Sequence, residues 1–349
     1  MSVPGTVPQL LPEASRPYTA PMKTAFYNRL GPAREVLQIG DLPDPVPAPG
    51  EVRVRVQWSG VNPSDVKSRL GLRSGTMPFA RVIPHSDGMG VIDAVGDGVD
   101  TSRLGQRVWT WNAAWGRPHG TACELVCLPQ EQAVPLPDGV AAEAGACLGI
   151  PALTALHAVL MDGGVAGKTV LVAGGAGAVG HYAVQMASLL GAARVIASVS
   201  TPEKAELAHA AGADEIVMYK TEPLVERVAA LTSGRGVDRI IEVDLGVNGQ
   251  ADFDMLRLGG ECVAYGSSAS PLQLPFYPLI AKNLQLKCFI VYNLAPADRE
   301  RAVATLTSLL VHGRLQHNIA ARLPLGDIAT AHEMVERGAA IGNVVLNVG

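Results

Sequence analysis

The chain has 349 residues, of which 48% are hydrophobic and 17% charged. That length fits about two domains, and the composition supplies enough apolar surface for sizeable cores and too little net charge for a disordered chain. The 28 lysines and arginines against 32 aspartates and glutamates leave a formal net charge of −4, which provides no overall electrostatic footprint for nucleic acid.

Residues 1–21 carry Pro4, Pro8, Pro12, Pro17 and Pro21 and have neither a basic leader nor a continuous apolar run, so a flexible tail is expected there. No stretch of about 18 uninterrupted apolar residues follows, which predicts no membrane span. Five cysteines, Cys123, Cys127, Cys147, Cys262 and Cys288, are too sparse for a disulfide scaffold and suit a reducing cytoplasm. Cys123 and Cys127 are expected as small buried hydrophobes.

Met22 to Ile39 begins with apolar alternation and breaks at Gly31-Pro32, and Asp41 to Gly50 is a proline-rich connector. Val52, Val54 and Val56 then alternate with Arg53, Arg55 and Gln57, the period-2 pattern of a half-buried strand. Gly88 to Val95 and Gln106 to Trp111 read the same way, so the first third predicts a small, strongly bent β-structure. From Val165 the texture becomes strand and helix in alternation. Strands are predicted over Thr169 to Ala173, Arg194 to Val199, Glu215 to Val217, Val237 to Glu242 and Glu261 to Tyr265. Helices are predicted over Val179 to Leu190, Glu203 to Ala211 and Leu224 to Leu231. This pattern implies a parallel sheet covered on both faces. A further strand is predicted over Leu284 to Val291, helices over Arg299 to Gly313 and Asp327 to Arg337, and a last strand over Val344 to Val348.

The strand Thr169 to Ala173 runs into Gly174-Gly175-Ala176-Gly177-Ala178-Val179-Gly180, where Gly175, Gly177 and Gly180 satisfy GxGxxG. A strand before it and an amphipathic helix after it make this a dinucleotide-binding turn. Gly175 is expected to make the tight turn, Gly177 to admit a pyrophosphate and Gly180 to let helix and strand pack closely. Ala178 and Val179 begin the helix whose N–H groups face the phosphates. Met186 is expected in the core and His181 on the helix surface. About 20 residues past Gly180, where a carboxylate would read the ribose of NAD, the chain has Ser200-Thr201-Pro202-Glu203-Lys204. Ser200 and Lys204 can hydrogen-bond a 2′-phosphate that a carboxylate would repel, so NADPH is the expected coenzyme. The other reading of Lys204 is a solvated helix residue beside a permissive ribose site.

Several ordered segments resemble the zinc-less quinone oxidoreductases related to ζ-crystallin, within the medium-chain dehydrogenase/reductase superfamily. They are Ser59-Gly60-Val61-Asn62-Pro63-Ser64-Asp65, Ser86-Asp87-Gly88-Met89-Gly90, Gly149-Ile150-Pro151-Ala152-Leu153-Thr154-Ala155, the glycine turn, Ala331-His332-Glu333 and Gly342-Asn343-Val344-Val345-Leu346. The resemblance implies an α/β fold, with a doubly wound Rossmann domain over residues 150–298 inserted into a bent β-rich, GroES-like catalytic domain. Residues 22–149 and 299–349 would form that second domain. The positions that ligate catalytic zinc in metal-dependent relatives are here Asn62, Ser86-Asp87 and Ile150, of which only Asp87 could ligate, against about three ligands needed. No metal is therefore expected. Without a Lewis acid, hydride must go to an acceptor that is already electrophilic, a quinone or an α,β-unsaturated carbonyl.

Asn62 matches the family's Asn near nicotinamide and substrate; read locally it is equally an Asn-Pro turn cap. The tyrosines that relatives carry shortly after it are replaced by Lys67 and Arg73, two cations able to polarise a carbonyl or hold an anionic substituent. Further carry-overs toward the coenzyme are Thr154, Tyr219, Asn248, Gly266 and Ser267, with Phe289 and Val291 as an apolar wall and Asn343 where the family has a cation. The expected function is metal-free hydride transfer from NADPH to a quinone-type acceptor; the alternatives are an NADPH-dependent enoyl or alkenal double-bond reductase and a non-catalytic NADPH-binding structural protein. The apolar edge at Leu284 to Val291 predicts a homodimer.

Overall fold

A computed structural model describes residues 21–349; the expected tail lies outside the described residues except for Pro21. Two antiparallel strands, β1 (Met22–Phe26) and β2 (Gln38–Leu42), lead into β3 (Glu51–Val61), β4 (Asp87–Val95), β5 (Arg107–Thr110), β6 (Leu125–Pro129) and β7 (Ala133–Pro135). Six strands follow: β8 (Thr169–Ala173), β9 (Arg194–Val199), β10 (Glu215–Met218), β11 (Val237–Glu242), β12 (Leu256–Ala264) and β13 (Gln285–Cys288). The chain closes with β14 (Ile319–Pro324) and β15 (Asn343–Asn347).

The six middle strands form one parallel sheet in the order β10-β9-β8-β11-β12-β13. Strand order reverses between β8 and β11, the switch point that opens a ligand crevice in a doubly wound sheet. The other seven-stranded sheet runs β14-β15-β3-β4-β5-β7, with β6 on β3. Both ends of the chain therefore build one sheet, and the parallel sheet lies between them in sequence. The register shifts in β3 against β4 at Arg53/Val54 and Val56/Trp58, which bends this long strand so that β4, β6 and β15 can all pair with it. This is the α/β fold expected, a bent β-rich sheet with a Rossmann-type sheet.

Two departures have physical causes. A helix over Leu245–Met255 escapes pattern reading because Gly246, Gly249 and Asp252 interrupt its apolar stripe. The expected strand over Leu284 to Val291 shrinks to β13, whose pairing with β12 ends at Ala264 opposite Cys288. Beyond it the apolar run turns into a short 3₁₀ segment, Val291–Asn293, and lines a cleft. β13 remains the sheet's outer strand. Among the described residues no helix is long and apolar enough to cross a membrane.

The largest core cluster joins the sheets: Met89, Trp109 and Leu136 from the β-rich part pack in one body with Val170, Val172, Ala183 and Met186. The fully buried Arg239 adds a polar tie. Its guanidinium bonds Glu261 at 2.7 Å and donates to the carbonyls of Ala158, Val159 and Met161, the end of the helix Leu153–Leu160. Deleting one partner of so buried a pair costs about 3–5 kcal/mol.

Three expectations are corrected in detail. Gly174, not Gly175, takes the left-handed turn, at φ +67°. Gly175 instead packs against β9, where a Cβ would lie 2.7 Å from that of Ala197, and a Cβ on Gly180 would come within 2.1 Å of the Gly174 carbonyl oxygen. His181 is buried, because residues 316–317 cover its helix face: Gln185 donates to the His181 ring and to the Gln316 carbonyl, and the Tyr182 hydroxyl bonds His317. Cys127 is only partly buried, whereas Cys123 is fully so; Met186 sits in the core as expected.

Gly180→Ala should lower thermal stability by about 1–3 kcal/mol or more, because a Cβ has only backbone to displace. Gly139→Ala, with nothing within 4 Å, should stay within about 0.5 kcal/mol. Melting curves of the two variants check this.

Candidate active site

A cleft of about 250 Å³ runs along the carboxyl ends of the parallel strands. Its walls include Gly174 and the helix start Gly177 to Gly180 after β8, Ser200 and Lys204 after β9, Tyr219 after β10 and Val243 after β11. A helix N-terminus freed of side chains by glycine presents N–H donors to an anion. At the far end the Lys204 ammonium donates to Ser200 Oγ at 3.1 Å, with both side chains half-buried and Tyr219 beside them. Thr201 caps the helix Pro202–Ala210 by accepting from the Lys204 N–H, which fixes where Lys204 leaves the backbone.

A second cavity of about 420 Å³ adjoins the first and shares Pro63, Ile150, Val179, Val243 and Tyr265 with it. Lys67, Arg73, Thr154, Gly266, Ser267 and Val291 all line it. A Cβ on Gly266 would lie 2.2 Å from the Val243 oxygen, so that loop can close on β11 only as glycine. Lys67 Nζ donates to the Ser267 carbonyl at 3.2 Å. The exposed Arg73 guanidinium stands 5.6 Å from the Tyr292 ring centre and 5.7 Å from that of Trp115.

Not every expected residue reaches the cleft. Phe289 packs edge-on against His157, 4.7 Å away; Ile290 and Tyr292 flank Val291 on the cavity wall instead. Asn343 is held inside its sheet, its amide donating to the Asn318 carbonyl at 3.0 Å, while Ala340 and Ile341 reach the cleft. Asn248 lies in a side cavity beyond Tyr219 and donates to the buried Glu242 at 2.9 Å.

Asn62 is the pivot. It is buried at the start of the helix Pro63–Arg69 and lines the cleft. Its amide donates to Asp87 Oδ2 at 2.9 Å, and the same oxygen accepts from the Ile150 N–H at 3.0 Å. Its own N–H donates to Asp65 Oδ2 at 2.8 Å. Burial pushes the Asp87 carboxyl well above the usual range, against the pull of these donors. Burial likewise pushes Asp65 to about 7. Asp87 thus holds Asn62 and Ile150, and no three His, Cys, Asp or Glu side chains gather for a metal among the described residues. His85 is buried too, its ring bonded to Ser59 and, at 2.9 Å, to His332, and burial lowers it to about 3.

Sequence reading missed Asp65, Trp115 and Tyr292. The spacing Asn62-x-x-Asp65 is that of a capping box and could have pointed to Asp65; nothing local singles out Tyr292, which the fold brings to Ser64 from 228 residues away. The folded protein keeps the Asp65 proton up to about pH 7, whereas the unfolded chain loses it near the ordinary carboxylate value. Stability should therefore fall as pH rises from about 4 to about 7, and Asp65→Asn should flatten that part of the curve. Denaturant titrations across this range check the sign.

Residues 48–138 match the alcohol dehydrogenase GroES-like domain family, and residues 178–308 match the zinc-binding dehydrogenase family. A quinone oxidoreductase of Pseudomonas aeruginosa is 30% identical over 317 residues, 89% of this chain and 95% of that protein. Among solved structures, an NAD-dependent alcohol dehydrogenase is 30% identical with a TM-score of 0.86, covering 94% of this chain and all of that one. The Escherichia coli quinone oxidoreductase complexed with NADPH is 26% identical with a TM-score of 0.83, covering 93% of this chain and all of that one. With both domain families, the sheet topology and a 30% identical relative matched over nearly its full length, the chain belongs to the quinone oxidoreductase family of medium-chain dehydrogenase/reductases.

Proposed function

We propose that this oxidoreductase is a zinc-independent NADPH:quinone reductase that passes hydride to a small quinone-type acceptor. The observation that carries the coenzyme choice is the Ser200–Lys204 pair at the end of the glycine cleft, whose lining includes no carboxylate among the described residues. A 2′-phosphate there would accept from the Lys204 ammonium and the Ser200 hydroxyl, each such charge-assisted bond being worth about 1.5–3 kcal/mol. NADPH would lie along Gly177 to Gly180, with Thr154, Val179 and Val291 beside its nicotinamide, and when bound it supplies the hydride. The chain's own work is to exclude water, orient the acceptor and stabilise the charge that develops on its oxygen.

Asn62, fixed by Asp87, is the proposed orienting amide at that junction. Lys67 and Arg73 bring positive charge to the acceptor cavity in place of tyrosines. Asn248 is assigned to a surrounding position, since it lines the side cavity with Glu242 and not the cleft. As domain limits we propose residues 150–298 for the coenzyme unit and residues 22–149 with 299–349 for the catalytic unit. The protein is proposed to work in the cytoplasm as a homodimer through the outer strand β13. Phe276, Tyr277 and Ile280, at 71%, 76% and 50% exposure, precede that strand and support the pairing.

Purified protein mixed with NADPH should consume it with a 1,4-quinone faster than with an enal or an enoyl thioester. The reverse order assigns the double-bond reductase, and tight NADPH binding with no oxidation by any of them assigns a binding protein. Lys204→Ala should weaken NADPH about tenfold or more while leaving NADH within about twofold; equal losses for both coenzymes would overturn the 2′-phosphate assignment. Lys67→Met should lower kcat/KM for quinones, and unchanged values across several quinones remove Lys67 from the reaction.

A further inference from the structure

The acceptor cavity and a further cavity of about 320 Å³ are separated by a wall made of Tyr292 and Arg73, which line both. The Tyr292 hydroxyl lies 2.9 Å from Ser64 Oγ. Ser64 stands two residues after Asn62, in the first turn of the helix Pro63–Arg69. Ser64 and Tyr292 thus meet on the wall that also holds Thr154, Val179 and Ile150. We propose that this hydroxyl pair is the hydrogen-bond donor to the acceptor's oxygen, supplying from a distant loop the phenol that positions 67 and 73 lack. The inference deepens the quinone reductase reading and rests on it.

The chemistry of two paired hydroxyls supports this. Each has one proton; one is spent between the oxygens, in either direction, and the other is uncommitted. Neither side-chain oxygen has another protein partner among the described residues. Burial raises the Tyr292 phenol above its ordinary value, so it stays protonated and can donate across the working pH range. The nearby cations are less suited: Lys67 is engaged by the Ser267 carbonyl, and Arg73 is exposed to water, where a hydrogen bond stabilises charge less.

Tyr292 is also held rigidly, as an oxyanion donor must be. Its ring stacks on Trp115 at 4.3 Å and 12°. Its carbonyl accepts from Asn112 Nδ2 at 3.0 Å, and Arg299 donates to the preceding carbonyl, that of Val291. With the coenzyme bound, hydride would leave its C–H bond and bond one carbonyl oxygen of the quinone, and the ring electrons would shift to leave a pair on the opposite oxygen. That oxygen accepts from the pair and is then protonated from water. The sum is quinone, NADPH and one proton giving hydroquinone and NADP⁺.

The test uses the full-length protein and the variants Tyr292→Phe, Ser64→Ala and the double variant. Tyr292→Phe keeps the ring and its stack, and NADPH affinity should stay within about twofold in all three. Each single variant should lose about tenfold in kcat with a 1,4-quinone, since one hydroxyl can still donate alone, and the double variant on the order of a hundredfold. A separate readout needs no turnover: p-nitrophenolate, an oxyanion of similar shape, should bind the wild type at least about tenfold more tightly than the double variant, by its absorbance. A double variant within twofold of wild type in both kcat and phenolate affinity overturns the pair's role. A wild type that reduces no acceptor overturns the function reading instead, and the phenolate titration then decides the pair by itself.

Discussion

One buried carboxyl oxygen, Oδ2 of Asp87, fixes how the two halves of the site meet. It accepts from the Asn62 amide at the start of the helix Pro63–Arg69 and from the Ile150 N–H on the crossing into the parallel sheet's helices. The crossing has no space to spare: a Cβ on Gly149 would lie 2.3 Å from Asp87 Oδ1, and one on Gly60 would lie 2.1 Å from the Ala146 oxygen. The carboxyl is fully buried, so these donors matter more than they would in water.

That junction is supported from below by a continuous core. Met89, Trp109 and Leu136 share one apolar cluster with Val170, Val172 and Met186, so the two sheets cannot shift without opening packed surface, at about 25 cal/mol per Å² of apolar area exposed. The cleft therefore has a firm floor and walls of different character. One end consists of strand ends, a bare helix start and the Ser200–Lys204 pair. The adjoining cavity is walled by residues of Pro63–Arg69 and of the segment after β13, with Trp115 stacked behind Tyr292.

Much of this was legible from residue order. The strand at Thr169–Ala173 falls where its apolar run places it, because a strand buried on both faces needs such a run. The glycine turn and the Ser200–Lys204 pair were legible for the same local reason: both lie within one β-α-β unit, where sequence spacing is spatial spacing. Even there the division of labour differed, since the strained residue is Gly174 and Gly175 is a packing glycine. The run Leu284 to Val291 misled because apolar character does not distinguish a strand from a cleft wall.

By itself the sequence determined the fold class and the glycine turn after β8. Those features rest on periodicity and on glycine's missing Cβ, both of which are local. Only the tertiary structure decided that His181 is buried, that Asn343 is turned into its sheet, that Asp87 steers Asn62 and that Tyr292 meets Ser64. Each of these depends on contacts between segments far apart in the chain, for which residue order carries no geometric signal until both sheets have packed.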